Sequence, residues 1–120
     1  MKKHLLKKLF LGLAVVFAAN LFASDIEVDG IWYDFDDMKG TATVTFKGET
    51  YYSYYYEYAG DVVIPETVTY NGKTYTVTKI GNYAFRDCKD VTSIAIPNTV
   101  THINTTVFRN CTKLTSLHIP

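Results

Sequence analysis

Ile80-Gly-Asn-Tyr-Ala-Phe85-Arg-Asp-Cys88-Lys-Asp-Val91-Thr-Ser-Ile94-Ala-Ile96-Pro97 is followed by a second version of itself, Ile103-Asn-Thr-Thr-Val-Phe108-Arg-Asn-Cys111-Thr-Lys-Leu114-Thr-Ser-Leu117-His-Ile119-Pro120. Each matching pair (Ile80 and Ile103, Phe85 and Phe108, Cys88 and Cys111, Ile96 and Ile119) is displaced by 23 residues. A fixed period of this length, with apolar letters kept and polar letters drifting, predicts a solenoid. One unit cannot bury its apolar side alone, so units stack and share a continuous core. The predicted fold is mainly β, with parallel strands contributed by 23-residue coils.

Working back toward the amino terminus, Asp61-Val-Val-Ile64-Pro65 has the pattern of Ser93-Ile-Ala-Ile96-Pro97 and Ser116-Leu-His-Ile119-Pro120, and is read as the first strand of the stack. Thr67 to Val77 is an insertion in this coil. Its two alternating runs flank Asn71-Gly72, a pair that suits a hairpin turn with both central residues at positive φ. Residues 61–120 are therefore assigned to the solenoid, with a hairpin insertion at 67–77 and an array expected to be truncated at its carboxyl end.

Residues 24–60 are assigned to an amino-terminal β cap. Ile31-Trp-Tyr-Asp-Phe35 and Thr41-Ala-Thr-Val-Thr-Phe46 read as a hairpin that covers the open end of the stack. Asp34, Asp36 and Asp37 lack the spacing of a calcium loop and are explained by turn chemistry. The stretch Tyr51-Tyr-Ser-Tyr-Tyr-Tyr-Glu-Tyr58, if extended, puts Tyr52, Tyr54, Tyr56 and Tyr58 on one face, against the cap. Tyr51 and Tyr55 then lie on the other face near solvent, where tyrosine suits recognition.

Residues 1–23 read as a secretory signal peptide: basic Met1-Lys-Lys-His-Leu-Leu-Lys-Lys8, an apolar run from Leu9 to Ala19, and Leu21-Phe22-Ala23 before a cut at Ser24. The apolar run is short for a membrane span, which takes about 20 residues, so no stable span is expected after cleavage. The remaining chain would hold eight Lys/Arg against twelve Asp/Glu, a formal charge of −4. No nucleic-acid partner is expected for such a chain, since a basic face is required. Cys88 and Cys111 occupy equivalent coil positions, with Cβ vectors parallel rather than facing, so stacked thiols are favoured over a disulfide.

The letters around Val91-x-x-Ile94-x-Ile96, namely Ile80-Gly-x-x-Ala-Phe-x-x-Cys, Thr-Ser-Ile-Ala-Ile-Pro and Asn-Thr-Val-Thr-His-Ile, resemble the BspA-type (Treponema-type) leucine-rich-repeat family of bacterial surface and secreted proteins. The amino-terminal arrangement resembles that of members from gut Bacteroidales. Asn104 stands where the family has Gly. The resemblance implies a leucine-rich-repeat solenoid with its parallel sheet on one face, and an exported protein of the cell surface, the medium or the periplasm. It further implies adhesion to host proteins or other cells rather than catalysis. His102 and His118 have no nucleophile, oxyanion-hole or metal-site pattern around them, and no cofactor or metal is expected.

Alternation places Asp61, Val63, Ser93, Ala95, Ser116 and His118 outward on the strands, and these are the candidate contact residues for a protein ligand. Two alternatives belong to other classes. Tyr51, Tyr55 and their neighbours form a stacking platform for a glycan, or the chain is a structural fragment of a longer repeat protein that binds nothing itself. Self-association through the uncapped last coil is the remaining expected contact.

Overall fold

The computed structural model describes residues 26–47, 58–104 and 106–120. The predicted export segment and Tyr51 and Tyr55 lie outside these residues. The described residues form nine strands and no helix. The strands are β1 (Ile26–Val28), β2 (Ile31–Asp36), β3 (Thr41–Thr45), β4 (Ala59–Val63), β5 (Thr67–Tyr70), β6 (Lys73–Ile80), β7 (Asp90–Ala95), β8 (His102–Ile103) and β9 (Ser116–His118). They make two sheets. One runs β1-β2-β3-β6-β5 with β8 also paired to β6, and the other runs β4-β7-β9.

The second sheet is parallel throughout. Asp61, Val62 and Val63 lie beside Ser93, Ile94 and Ala95, which lie beside Ser116, Leu117 and His118. The same displacement appears across the molecule, where Lys79 and Ile80 lie beside His102 and Ile103. Threonine carbonyls extend both ladders: Thr101 N–H donates to Thr78 O, and Thr115 N–H to Thr92 O. Between the sheets, Ile80, Phe85, Val91 and Ile94 are almost fully buried. Phe85 and Phe108 stack with ring centroids 6.3 Å apart. The apolar letters kept in both copies are thus core letters in the first of them. Leu117, in the second copy, is 38% exposed, whereas its counterpart Ile94 is 1% exposed.

The cap enters the fold differently from the expectation. β2 and β3 do form a hairpin, with Asp36 Oδ1 accepting from Lys39 N–H in its turn. Rather than lying across an open end, however, β3 pairs in parallel with β6 and so continues that sheet. Val44 is fully buried beside Ile80. A strand that buries its side chains on one face and pairs at its edge satisfies backbone groups that a mere lid would leave open. β1 is an additional strand, turned onto β2 through Asp29 (φ 51°) and Gly30 (φ 85°).

The insertion is a hairpin of β5 and β6 around Asn71 (φ 52°) and Gly72 (φ 78°). It folds onto the cap. Tyr70 and Tyr75 pack on Phe35 with centroids 5.3 and 4.3 Å away, while the Tyr75 hydroxyl donates to Asp37. Gly81 is where β6 leaves the sheet. A Cβ there would meet Thr43 Cγ2 at 3.2 Å and Val44 O at 3.3 Å, so the close approach to β3 favours glycine. Asn104 occupies the equivalent place one coil later, where its N–H donates to Ile80 O.

Candidate functional site

The outward side of β4-β7-β9 carries two transverse rows set by strand register. Asp61, Ser93 and Ser116 make one, and Val63, Ala95 and His118 the other. Asp61, Val63, Ser116 and His118 are exposed, while Ser93 and Ala95 are half-buried. Their inward neighbours Val62 and Ile94 are buried, so alternation alone puts these six side chains on one face. The structure therefore brings together six of the eight candidate residues; Tyr51 and Tyr55 lie outside the described residues.

Hydrogen bonds order the first row. Asp61 Oδ1 accepts from Ser93 Oγ at 2.6 Å and from Thr92 Oγ1 at 3.0 Å. These donors stabilise the carboxylate and hold its pKa below the ordinary aspartate value, with the Ser93 bond the larger cause. Val63 begins the second row at 70% exposure, which leaves an aliphatic side chain standing on a polar face.

Beside β4 the face drops into a crevice of about 240 Å³, lined among others by Asp29, Gly30, Tyr58, Ala59, Asp61 and Val63. Tyr58 builds its floor. The Tyr58 hydroxyl accepts from Trp32 N–H at 3.0 Å and donates to Thr45 O at 2.6 Å. The ring lies 4.7 Å from that of Phe85. The last tyrosine of the Tyr-rich stretch is thus buried and ties β2 to β3. Asp29 was missed as a candidate. The signal was present, because Asp29-Gly30 is the same kind of hairpin dipeptide as Asn71-Gly72.

The two histidines among the described residues are not brought together: His102 is on β8 in one sheet and His118 on β9 in the other. His102 Nδ1 shares a hydrogen bond with Thr101 Oγ1. Cys88 and Cys111 are free thiols. The Cys111 thiol donates to Phe85 O at 3.0 Å, and burial pushes its pKa up, which makes it a poor nucleophile.

Residues 49–120 match a family model described as a BspA type leucine rich repeat region of six copies. Among solved structures, a leucine-rich repeat protein from Bacteroides ovatus is 38% identical over 80% of this chain, with a TM-score of 0.66. A leucine rich cell surface protein from Faecalibacterium prausnitzii is 31% identical over 77% of the chain, with a TM-score of 0.59. A leucine-rich repeat protein from Bacteroides capillosus is 28% identical over 79%, with a TM-score of 0.62. The chain spans 24%, 22% and 64% of the lengths of these three proteins, respectively. No curated protein matches it.

Proposed function

The chain belongs to the BspA-type leucine-rich-repeat family, and from that premise we propose that it is an exported, non-enzymatic recognition module of the bacterial surface. Its 23-residue coils would form the opening of a solenoid, and the outward side of β4-β7-β9 would meet a protein on a host or neighbouring cell. One observation carries this reading. In the second outward row the side chain changes at every strand (Val63, Ala95 and His118), and in the first Asp61 gives way to Ser93 and Ser116, while the inward letters stay aliphatic (Val62, Ile94 and Leu117). A scaffold that fixes its inside and varies one outside face is built for contact. The cell-surface description of the Faecalibacterium relative supports the location.

Six outward positions fall short of the roughly 800 Å² per partner of a standard interface, so the adjoining crevice is included in the contact surface. The test uses beads coated with the chain from Ser24 onward, and with Ser93→Arg and Ser116→Arg variants that add bulk to the face. Attachment to immobilised matrix proteins and to co-resident bacteria is counted. The reading expects attachment by the parent chain and its loss in both variants. Absence of attachment, or attachment unchanged by either substitution, would refute it.

A further inference from the structure

We propose that two molecules of this chain pair through the far side of the second copy, about a two-fold axis that sets β9 against β9 in antiparallel. The contact lies at the open edges of the sheets rather than on the outward rows, and it does not depend on the recognition reading.

The observation that carries it is what the same letters do in the two copies. In the first, Ile80, Phe85, Cys88, Val91, Ile94 and Ile96 are all 3% exposed or less, with the second copy packed beside them. In the second, Ile103 is 36%, Leu117 38% and Ile119 56% exposed, while Phe108, Cys111 and Leu114 are half-buried. The side of the second copy that looks away from the first therefore repeats a surface that is covered one copy earlier. What covers it there is a parallel strand with apolar side chains, and this chain ends its own sheet with such a strand.

The strand edge is open as well. Among the described residues β9 pairs only with β7, and β8 only with β6. His118 O accepts from Ile96 N–H, so His118 turns its backbone toward β7. Alternation then turns the N–H and C=O of Leu117 outward. An unpaired edge beside exposed aliphatic side chains is a template for another strand. Ser116-Leu117-His118-Ile119 holds no lysine, arginine or acid, so no fixed like charges oppose one another in the pair.

The two-fold arrangement is favoured over head-to-tail stacking by the other end of the molecule. There β3 already occupies the edge of β6, so only β4 could be extended and β8 would stay unpaired. A two-fold contact asks each molecule for the same end. Leu117 then faces Leu117 across the axis, and directly opposed residues of an antiparallel pair exchange both hydrogen bonds. Such a contact closes at two molecules, whereas a head-to-tail one continues into a fibre.

The test is sedimentation velocity on the chain from Ser24 onward over a wide range of concentration, beside Leu117→Lys, Ile119→Lys and Met38→Ser. The parent is expected to pass from monomer to dimer with no larger species. Each lysine variant sets a charge in an apolar contact and should raise the dissociation constant at least about tenfold. Met38 is 96% exposed on the turn between β2 and β3, and Met38→Ser should leave the dimer unchanged. Circular dichroism at the lowest concentration checks that the variants fold. Hydrogen exchange of the parent needs no variant: the Leu117 amide should gain protection with concentration. A monomer throughout, species beyond a dimer, a dimer indifferent to both lysines, or a Leu117 amide that gains no protection would overturn the proposal. So would a chain that stays monomeric yet binds an added peptide of residues 98–120, which would assign this end to a single repeat. A dimer without bead attachment sinks the recognition reading and leaves this contact standing; a monomer that attaches does the reverse.

Discussion

The side-chain amide of Asn110 donates to the carboxylate of Asp87 at 2.7 Å, and both residues hold positive φ, 61° and 60°. They occupy equivalent places in successive copies. Asp and Asn are the residues other than glycine that visit this backbone region cheaply, through their short polar side chains. The Asp87 N–H also donates to Arg109 O. Two turns are thereby joined side by side at their tightest points.

Replacing Asp87 by Ala removes the acceptor and strains the turn, and is expected to lower stability by about 2–3 kcal/mol. Asn110→Gly loses the same hydrogen bond but relieves the backbone, so its cost should be smaller. Urea denaturation midpoints check the order. Equal losses would remove the conformational part of the account.

Tyr58→Phe tests the tie between β2 and β3. The ring contact with Phe85 survives, but Trp32 N–H and Thr45 O lose their shared hydroxyl. An unsatisfied buried group costs about 1–3 kcal/mol. The expected result is a loss in that range with the fold retained by circular dichroism.

The pH response has two limbs. Burial, with the charge of Asp29 second, raises Tyr33 to about 12, and burial with the hydrogen bond to Asp37 raises Tyr75 to about 12. A raised folded pKa favours the neutral phenol. Its stabilisation is therefore complete below the unfolded value of about 10 and is lost as pH rises toward the folded one. Asp61 works in the opposite sense. Its folded pKa is lowered, so its contribution is present above the ordinary aspartate value and lost as pH falls through the lower one. Tyrosinate absorbance should show a group ionising late in the folded chain that merges with the rest in urea. Asp61→Asn should flatten the acid limb of a stability-against-pH curve. An unchanged acid limb would contradict the role given to Thr92 and Ser93.

Export is checked by mass spectrometry of the protein secreted or displayed from a Bacteroidales host. The expected mature amino terminus is Ser24, and Ala23→Arg should block processing. An intact Met1 on the exported protein would overturn the cleavage assignment.

The stacking partners of the two copies were legible because inward letters recur where strands pair: Ile94 beside Leu117, Ile80 beside Ile103. The Asn71-Gly72 turn was legible because its chemistry is local. The parallel pairing of β3 with β6 was not, since nothing in Thr41 to Thr45 states which distant edge it joins. The drift from Asp87 to Asn110 read as free variation, yet the left-handed backbone narrows that position to few residues. The crevice beside β4 was not legible either, since the Asp29-Gly30 turn and β4 are distant in sequence and line it together only through the fold.

Two of the parallel pairings, β3 with β6 and β4 with β7, contain a register shift. Between Ala42 and Thr43 the pairing skips Thr78, and between Gly60 and Asp61 it skips Thr92. The later junctions, β6 to β8 and β7 to β9, pair without a shift. Look-alike repeats create an addressing problem, because a strand that fits one copy nearly fits the next. The shifted register acts as a start mark, not the threonines themselves, which recur as Thr101 and Thr115. The shift is confined to the pairings made by β3 and β4, so counting along the repeats begins at a single defined place, and slipping by a whole repeat puts these strands out of phase.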